Sequence, residues 1–245
     1  MSTLITVLVV VALSIPIGQA GWRLKKSVDL ARASEPLQQT PAEPANRLLI
    51  VGDSTGVGTG AGSPQASIAG LIANDHPALL IDNRSRDGAR FADVVSQLQQ
   101  AEGQRYDLVL VLAGGNDVIR LTDEEALRRA VDKSIGQAAT LADQLIVQPP
   151  GNVGNAPFFF PPFSWWMTER ARMLHAVVRS AVEAAPNARY VRLFEERDND
   201  PFAQQPELNA ADGLHPSAAG YRLWYDELRE QGGFEQILRG QPGPR

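Results

Sequence analysis

The chain of 245 residues contains no cysteine and only three histidines. The lack of cysteine excludes disulfides, thiolate metal sites and a cysteine nucleophile. No two histidines form a His-x-His or His-x-x-x-His pair, so the sequence indicates neither a metal site nor any other cofactor. The formal net charge of −5 and the lack of long lysine or arginine runs argue against a nucleic-acid partner.

An uncharged and mostly apolar run occupies Leu4–Trp22. The run is just long enough to span a bilayer, and we expect it to anchor the protein to a membrane. A cleaved signal peptide is the alternative, with the small residues Gly18 and Ala20 at the cleavage site, although no basic residue precedes the run. Basic residues directly after the run favour a cytoplasmic domain, whereas a signal peptide would export it, so the side of the membrane stays open.

The segment Ser34–Asn46 combines three prolines with polar residues and alanine, a composition that predicts an unpacked tether. We therefore divide the chain into an anchor or signal segment (1–26), a proline-rich linker (27–46) and a globular domain (47–245). About 200 residues suit one α/β domain with a substantial core.

Within the globular domain, strand-like and helix-like segments alternate. Strands are predicted at 48–52, 79–81, 107–113, 144–148 and 190–194, and helices at 65–74, 91–100, 122–141, 165–185 and 216–230, the last with Pro216 at its first position. This alternation implies a parallel sheet covered on both faces. We predict an α/β, three-layer, flavodoxin-like fold with a central parallel sheet of about five strands.

The first predicted strand runs into the turn Gly52-Asp53-Ser54, where the carboxyl end of a parallel strand places functional groups. In one interpretation Ser54 is a nucleophile. In the other, the loop from Gly52 to Gly58 cradles a phosphate or flavin. The tripeptide alone does not separate them.

Asp212-Gly213-Leu214-His215-Pro216, near the carboxyl end, separates the two interpretations. A serine hydroxyl needs a neighbouring base, which is usually histidine, and the base needs a partner that fixes its tautomer. Asp212 can fold back onto His215 within one turn. A phosphate loop requires no such histidine, so this unit favours the nucleophile interpretation of Ser54.

Four sequence blocks together resemble those of the SGNH, or GDSL, hydrolase superfamily. They are Gly52-Asp53-Ser54, Gly88, Gly115-Asn116-Asp117 and Asp212 to Pro216, in the order found in that family. The stretches Gly52 to Thr55 and Asp212 to Tyr221 are also similar to a bacterial branch of GDSL lipases and esterases. The resemblance runs from about Arg47 to Glu230.

The resemblance implies a serine esterase that forms an acyl-serine intermediate. By matching positions, Ser54 is the nucleophile, His215 the general base and Asp212 the residue that orients His215. The implied oxyanion hole consists of the Ser54 and Gly88 N–H groups and the Asn116 side-chain amide. We expect Asp117 to cap a helix or loop, Asp53 to hold the nucleophile loop, and His175 to be structural.

The expected substrate is a small-molecule or lipid ester. An aromatic loop, Phe158 to Trp166, either lies at the catalytic rim, where it could hold an acyl chain or enter a membrane, or packs on the core. A carbohydrate O-acetyl esterase or acyltransferase is the first alternative, and a flavodoxin-like binding protein the second. Three arginines lie near Gly88 in the sequence. We assign Arg84 to the solvated surface, and for Arg86 and Arg90 we leave open whether they are solvated or contact an acidic group of the substrate.

Overall fold

The computed structural model describes residue 18 and residues 21–239. Its centre is a five-stranded, all-parallel sheet of order β2-β1-β3-β4-β5, with helices on both faces. The strands are β1 (Asn46–Gly52), β2 (Leu79–Asn83), β3 (Tyr106–Leu112), β4 (Ala142–Val147) and β5 (Ala188–Tyr190). The predicted three-layer, flavodoxin-like α/β fold is confirmed.

Ten helices are described. They are α1 (21–33), α2 (Ser54–Val57), α3 (Ile68–Asp75), α4 (Phe91–Gln99), α5 (Gly115–Ile119), α6 (Glu124–Leu141), α7 (Phe163–Glu183), α8 (Pro201–Gln204), α9 (Ala218–Gly232) and α10 (Phe234–Leu238). Asp123 caps α6 by accepting the N–H groups of Glu125 and Ala126, and Ser217 caps α9 through the N–H of Gly220.

The sheet separates two apolar layers because successive side chains of a strand point to opposite faces. Leu49 and Val51 of β1 pack with α4, α6 and α7 on one face. Leu48 and Ile50 pack with α3, α9 and α10 on the other. Both faces are buried, which explains why the central strands carry uninterrupted apolar runs rather than an alternating pattern.

Several element ends differ from the predicted ones by a few residues, and two of these differences have a visible cause. The last strand is Ala188–Tyr190, not 190–194, because its partner β4 leads into Pro149 and Pro150, which have no N–H to continue the ladder. The last helix starts at Ala218, so Pro216 precedes the Ser217 cap instead of occupying the first helical position. Pro216 forms an isolated bridge with Asn209.

The segment after α1 contacts the edge of the sheet. Gln39 and Ile81 exchange backbone hydrogen bonds of 3.1 and 2.9 Å, the Gln38 side chain bonds both backbone groups of Asn83, and Leu37 packs against the apolar layer. Residues 37–39 therefore pack, although the sequence predicts a tether there. Polar glutamines can do so because they satisfy the open edge of β2. The limits of the three predicted domains stay a prediction.

The predicted anchor or signal run, Leu4–Trp22, lies outside the described residues except at Gly18, Gly21 and Trp22. Within the part of the chain that the structure describes, no helix combines the length and apolarity that crossing a membrane requires.

Candidate active site

Ser54 lies where β1 ends, as the first residue of the short helix α2. The chain turns sharply at Gly52, whose φ of +151° is unfavourable for other residues, and a Cβ there would lie 1.9 Å from the Leu112 carbonyl oxygen. Beneath the loop, the buried Tyr221 hydroxyl donates to the Thr59 carbonyl at 2.9 Å. The local backbone thus fixes the position of the Ser54 hydroxyl.

The Asp53 carboxylate joins this loop to the amino end of α5, the helix that carries Asn116. Its Oδ1 accepts the Thr55 N–H at 2.9 Å, and its Oδ2 accepts the Gly114 and Gly115 N–H groups at 3.2 Å each. Burial raises the pKa of Asp53 to about 6 despite these hydrogen bonds. These contacts agree with the expectation that Asp53 holds the nucleophile loop.

His215 bridges Ser54 and Asp212. His215 Nδ1 lies 2.6 Å from Asp212 Oδ2, and Nε2 lies 3.0 Å from Ser54 Oγ. A carboxylate can only accept, so Nδ1 carries the proton, and Nε2 is left to accept from the Ser54 hydroxyl. The structure therefore brings all three predicted residues into one hydrogen-bonded chain.

Asp212 is fully buried and accepts from several donors. Its Oδ1 accepts the backbone N–H groups of Leu214 and His215 at 3.0 and 3.1 Å. Its Oδ2 also accepts the Ser27 hydroxyl at 2.6 Å. Burial raises the pKa of Asp212, but the hydrogen bonds from His215 and Ser27 outweigh it and lower the pKa to about 2. Asp212 is thus held as a carboxylate.

Gly88 and Asn116 line the same cavity as Ser54 and His215. Among the described residues, no acceptor takes the N–H of Ser54 or Gly88 or the side-chain amide of Asn116. Gly88 has φ of +75°, and a Cβ there would lie 3.1 Å from the Arg120 guanidinium. Three unused donors beside a hydroxyl form the kind of environment that stabilises an oxyanion.

The cavity has a volume of about 390 Å³ and is mainly apolar. Apart from the residues already described, its walls include Leu24, Val28, Ala31, Ile119, Val153, Phe158, Phe202, Leu214 and Trp224. This volume lies within the range of small-molecule sites.

Several wall residues are absent from the sequence prediction. Helix α1 contributes Leu24, Ser27, Val28 and Ala31 to the wall. Arg120, the residue that follows α5, also lines the cavity. The spacing of the α1 residues, i, i+3, i+4 and i+7, is a signal that could have indicated one helical face. Of the arginines near Gly88, Arg84 is half-buried rather than at the surface, forms an ion pair with Asp82 at 2.8 Å and does not line the cavity.

The aromatic loop divides between the two predicted alternatives. Phe158 lines the cavity and its N–H donates to the Gly213 carbonyl at 2.8 Å, while Phe159 packs on the core. Residues at the start of α7 are open to solvent, with Phe163 61% and Trp165 68% exposed. Residues of this one stretch therefore line the cavity, pack on the core and form an exposed aromatic surface.

A parallel α/β sheet with a serine, a histidine and an aspartate joined beyond its strand ends is the arrangement of serine hydrolases of α/β fold. A sequence model of the GDSL-like Lipase/Acylhydrolase family matches residues 50–223 of the chain. The protein belongs to this family and is a carboxylic ester hydrolase, as the four sequence blocks predict. The match decides against the phosphate-cradling interpretation of the loop at 52–58.

Solved structures share the fold. LAE5, an alpha/beta hydrolase enzyme from the metagenome of Lake Arreo, is 20% identical with a TM-score of 0.59, covering 78% of this chain and 96% of its own. Axe2, an acetylxylan esterase from Geobacillus stearothermophilus, is 20% identical with a TM-score of 0.58, and the match covers 79% of this chain and 97% of Axe2. The esterase EstA from Pseudoalteromonas sp. is 16% identical with a TM-score of 0.58, and the match covers 78% of this chain and 98% of EstA. The comparison with curated proteins gives no match.

Proposed function

We propose that this hydrolase cleaves esters through an acyl intermediate on Ser54, with His215 as the general base and Asp212 as its partner. The observation that carries the proposal is the hydrogen-bonded chain from Ser54 Oγ through His215 to Asp212, at 3.0 and 2.6 Å. Serine is a weak nucleophile unless a base accepts its proton, and this arrangement supplies the base at hydrogen-bond distance.

In the first half-reaction, Ser54 Oγ attacks the ester carbonyl carbon while His215 Nε2 takes the hydroxyl proton. The carbonyl oxygen becomes an oxyanion, which accepts hydrogen bonds from the Ser54 and Gly88 N–H groups and the Asn116 amide. The tetrahedral intermediate then breaks its bond to the alcohol, and Nε2 returns the proton to the departing oxygen. The acid remains bound to Ser54 as an ester.

In the second half-reaction, water takes the place of the alcohol. His215 Nε2 removes a proton from the water, whose oxygen attacks the acyl carbon, and the same donors hold the second oxyanion. Collapse breaks the bond to Ser54 Oγ, which regains its proton from Nε2. Asp212 remains ionised throughout and stabilises the protonated imidazole in each half-reaction.

The cavity walls favour an apolar acyl chain. Leu24, Val28, Ile119 and Phe158 offer no hydrogen bonds from their side chains, and a volume of about 390 Å³ admits a chain longer than acetyl. The second candidate, a carbohydrate O-acetyl ester, is favoured by the fold shared with Axe2, an acetylxylan esterase. The walls also include polar side chains such as Asp87, Asn152 and Asn209, but most of the lining surface is apolar, so we place the acyl ester first.

We also infer that the protein is anchored to a membrane by its amino-terminal segment. The apolar run Leu4–Trp22 supports this, because it has the length of a membrane span. Exposed aromatic residues near the carboxyl end of the run support membrane anchoring as well. Trp22 is 53% exposed, and its neighbour Arg23 lies over the ring of Phe160, which leads into the exposed start of α7.

Replacing Ser54 by alanine tests the catalytic proposal. We expect kcat for p-nitrophenyl esters to fall by roughly 10⁴-fold or more, because the variant lacks the attacking oxygen. A matched control is Ser63→Ala, which removes an exposed hydroxyl and should leave kcat unchanged. An organophosphonate should label the wild type at Ser54 and leave the variant unlabelled, as measured by intact mass.

The ester series also ranks the two substrate classes. Higher kcat/KM for butyrate or hexanoate than for acetate agrees with an acyl-ester substrate, whereas hydrolysis confined to acetylated xylooligosaccharides supports the carbohydrate candidate. Retention of more than a tenth of the activity by Ser54→Ala would contradict the acyl-serine mechanism.

A further inference from the structure

Helix α1 presents one face to the catalytic cavity. Leu24, Ser27, Val28 and Ala31 all line it, and their spacing places them on a single side of the helix. Three of these side chains are apolar, and the fourth, Ser27, is the polar group of the set. The face thus combines one hydroxyl with apolar side chains that line an open cavity, Leu24 being 59% and Val28 42% exposed.

Contacts on both sides of this face hold α1 against the domain. At its start, the Arg23 guanidinium donates to the Pro157 carbonyl and lies 5.2 Å from the centre of the Phe160 ring. After its end, Leu37 packs on the core and Gln39 pairs with Ile81 of β2. The helix is therefore fixed at two separate points of the domain.

Ser27 touches the catalytic unit directly. Its hydroxyl donates to Asp212 Oδ2 at 2.6 Å, and this oxygen also accepts from His215 Nδ1. Hydrogen bonds to a carboxylate are stronger than those between neutral groups. The buried Asp212 therefore has a side-chain donor that belongs to α1, in addition to the backbone donors of its own loop.

This helix precedes the part of the chain that the family model matches, which begins at residue 50. Ser27 and the apolar residues around it are thus an addition to the matched catalytic unit. The contacts of α1 give it two roles at the site, one through Asp212 and one through the substrate cavity.

We propose that α1 is a working part of the catalytic pocket, in which Ser27 is a positioning residue for Asp212 and the face containing Leu24, Val28 and Ala31 limits the acyl chain. The inference rests on the proposed function of Ser54, His215 and Asp212. The hydroxyl of Ser27 fixes the carboxylate that orients His215, and the apolar face bounds the space beside Ser54.

Substitutions of Ser27 in the full chain test the positioning role. Ser27→Ala should lower kcat for p-nitrophenyl butyrate roughly tenfold and change KM less than twofold, because a hydrogen bond to a charged group is lost without loss of substrate contacts. Ser27→Thr keeps the hydroxyl and should restore most of kcat. Ser34→Ala is the control, since its hydroxyl bonds the Leu30 carbonyl away from the cavity.

Substitution of Ala31 tests the apolar wall. Ala31→Leu adds bulk inside the cavity and should lower kcat/KM for p-nitrophenyl octanoate about tenfold more than for the acetate. Ala33→Leu makes the same change at an exposed position of α1 that does not line the cavity, and should leave the ratio of the two esters unchanged.

Thermal unfolding of each variant separates these effects from loss of structure. Ser27→Ala with wild-type kcat, or with a loss that Ser27→Thr does not reverse, would overturn the positioning role. An unchanged chain-length profile in folded Ala31→Leu would overturn the wall. If the wild type has no esterase activity, or has an activity that Ser54→Ala does not abolish, the proposed function is overturned, and the inference with it.

Discussion

His175 is a buried histidine of α7 that contacts the backbone of Pro150, one of the residues that line the cavity. Its Nε2 lies 2.8 Å from the Pro150 carbonyl oxygen, and its Nδ1 contacts the Tyr190 hydroxyl. Burial lowers the pKa of His175 to about 4, since the charged form would lose its hydration. The histidine is thus a neutral structural group, in agreement with its expected role.

His175→Phe should flatten the acid dependence of stability. The folded-state pKa is below the ordinary value of 6.5, so the unfolded chain takes up the proton first as pH falls. The contribution is complete above pH 6.5 and is lost as pH falls towards 4, by up to about 3 kcal/mol. Urea unfolding at several pH values measures it.

Tyr190→Phe is the control, since it removes the neighbouring hydroxyl and keeps the imidazole. It should retain the wild-type slope between pH 6.5 and 4. The carboxyls of Asp53 and Asp212, whose pKa values are about 6 and about 2, titrate in the wild type and in both variants, so the difference in slope between His175→Phe and wild type reports on His175. An equal slope in His175→Phe and wild type would contradict the prediction.

At the scale of single residues, the sequence was sufficient to choose Ser54, Asp212 and His215, because each chemical role restricts the residue type and the last two lie within one turn. The structure brings them together with Gly88 and Asn116; their catalytic roles stay a prediction until activity is measured. Ser27 was missed because a serine in an amphipathic pattern has no distinctive signal. Its significance depends on a contact with Asp212, 185 residues later in the chain.

At the scale of elements, a side chain of the short helix α5 caps the start of another helix, α4. Asp117 Oδ2 accepts the N–H of Phe91, the first residue of α4, at 2.9 Å. Asp117 is buried, and this burial raises its pKa despite the hydrogen bond. The predicted capping role is therefore present, and it links α5, which carries Asn116, to the start of α4 after Gly88.

Asp117→Ala should lower the free energy of unfolding by about 1–2 kcal/mol, because the first N–H of α4 loses its acceptor. Asp117→Asn retains a carbonyl oxygen and should lose less. Asp132→Ala, at an exposed position of α6, is the matched control and should stay within about 0.5 kcal/mol of wild type. Equal unfolding midpoints for Asp117→Ala and Asp132→Ala in urea would contradict the capping role.

Element types were easier to predict than element ends. The apolar runs of β1 and β3 are unambiguous because a parallel strand is buried on both faces. The end of β5 depends on where its partner β4 stops offering hydrogen bonds, at Pro149, and so is set by a different part of the chain. The helix α9 starts two residues later than predicted because Ser217, which follows Pro216, is its N-cap and Ala218 its first residue.

At the scale of the whole molecule, we propose that the amino-terminal run anchors the hydrolase to a membrane. We expect the full chain to sediment with membranes, to resist extraction by alkaline carbonate, and to retain the mass of an uncleaved chain. Val9→Glu combined with Val11→Lys should release it, since each charge opposes insertion by about 2.5–3.5 kcal/mol.

Thr40→Glu combined with Ala42→Lys places the same charges at the same spacing on exposed positions after α1 and serves as the control. Membrane retention of this control alongside release of the first variant would support the anchor. A chain that is recovered in the soluble fraction with a mass beginning at Gly21 would contradict the anchor and support the cleaved signal peptide.

Helix α1 has a practical consequence for how the protein is divided. A fragment that begins at β1, a few residues before the family boundary at residue 50, would retain Ser54, His215 and Asp212 but lose Ser27 and the apolar face beside them. Such a fragment would present a wider, more hydrated cleft, and its substrate profile would describe the fragment rather than the protein. The boundary of sequence homology and the boundary of the working pocket therefore fall at different places in this chain.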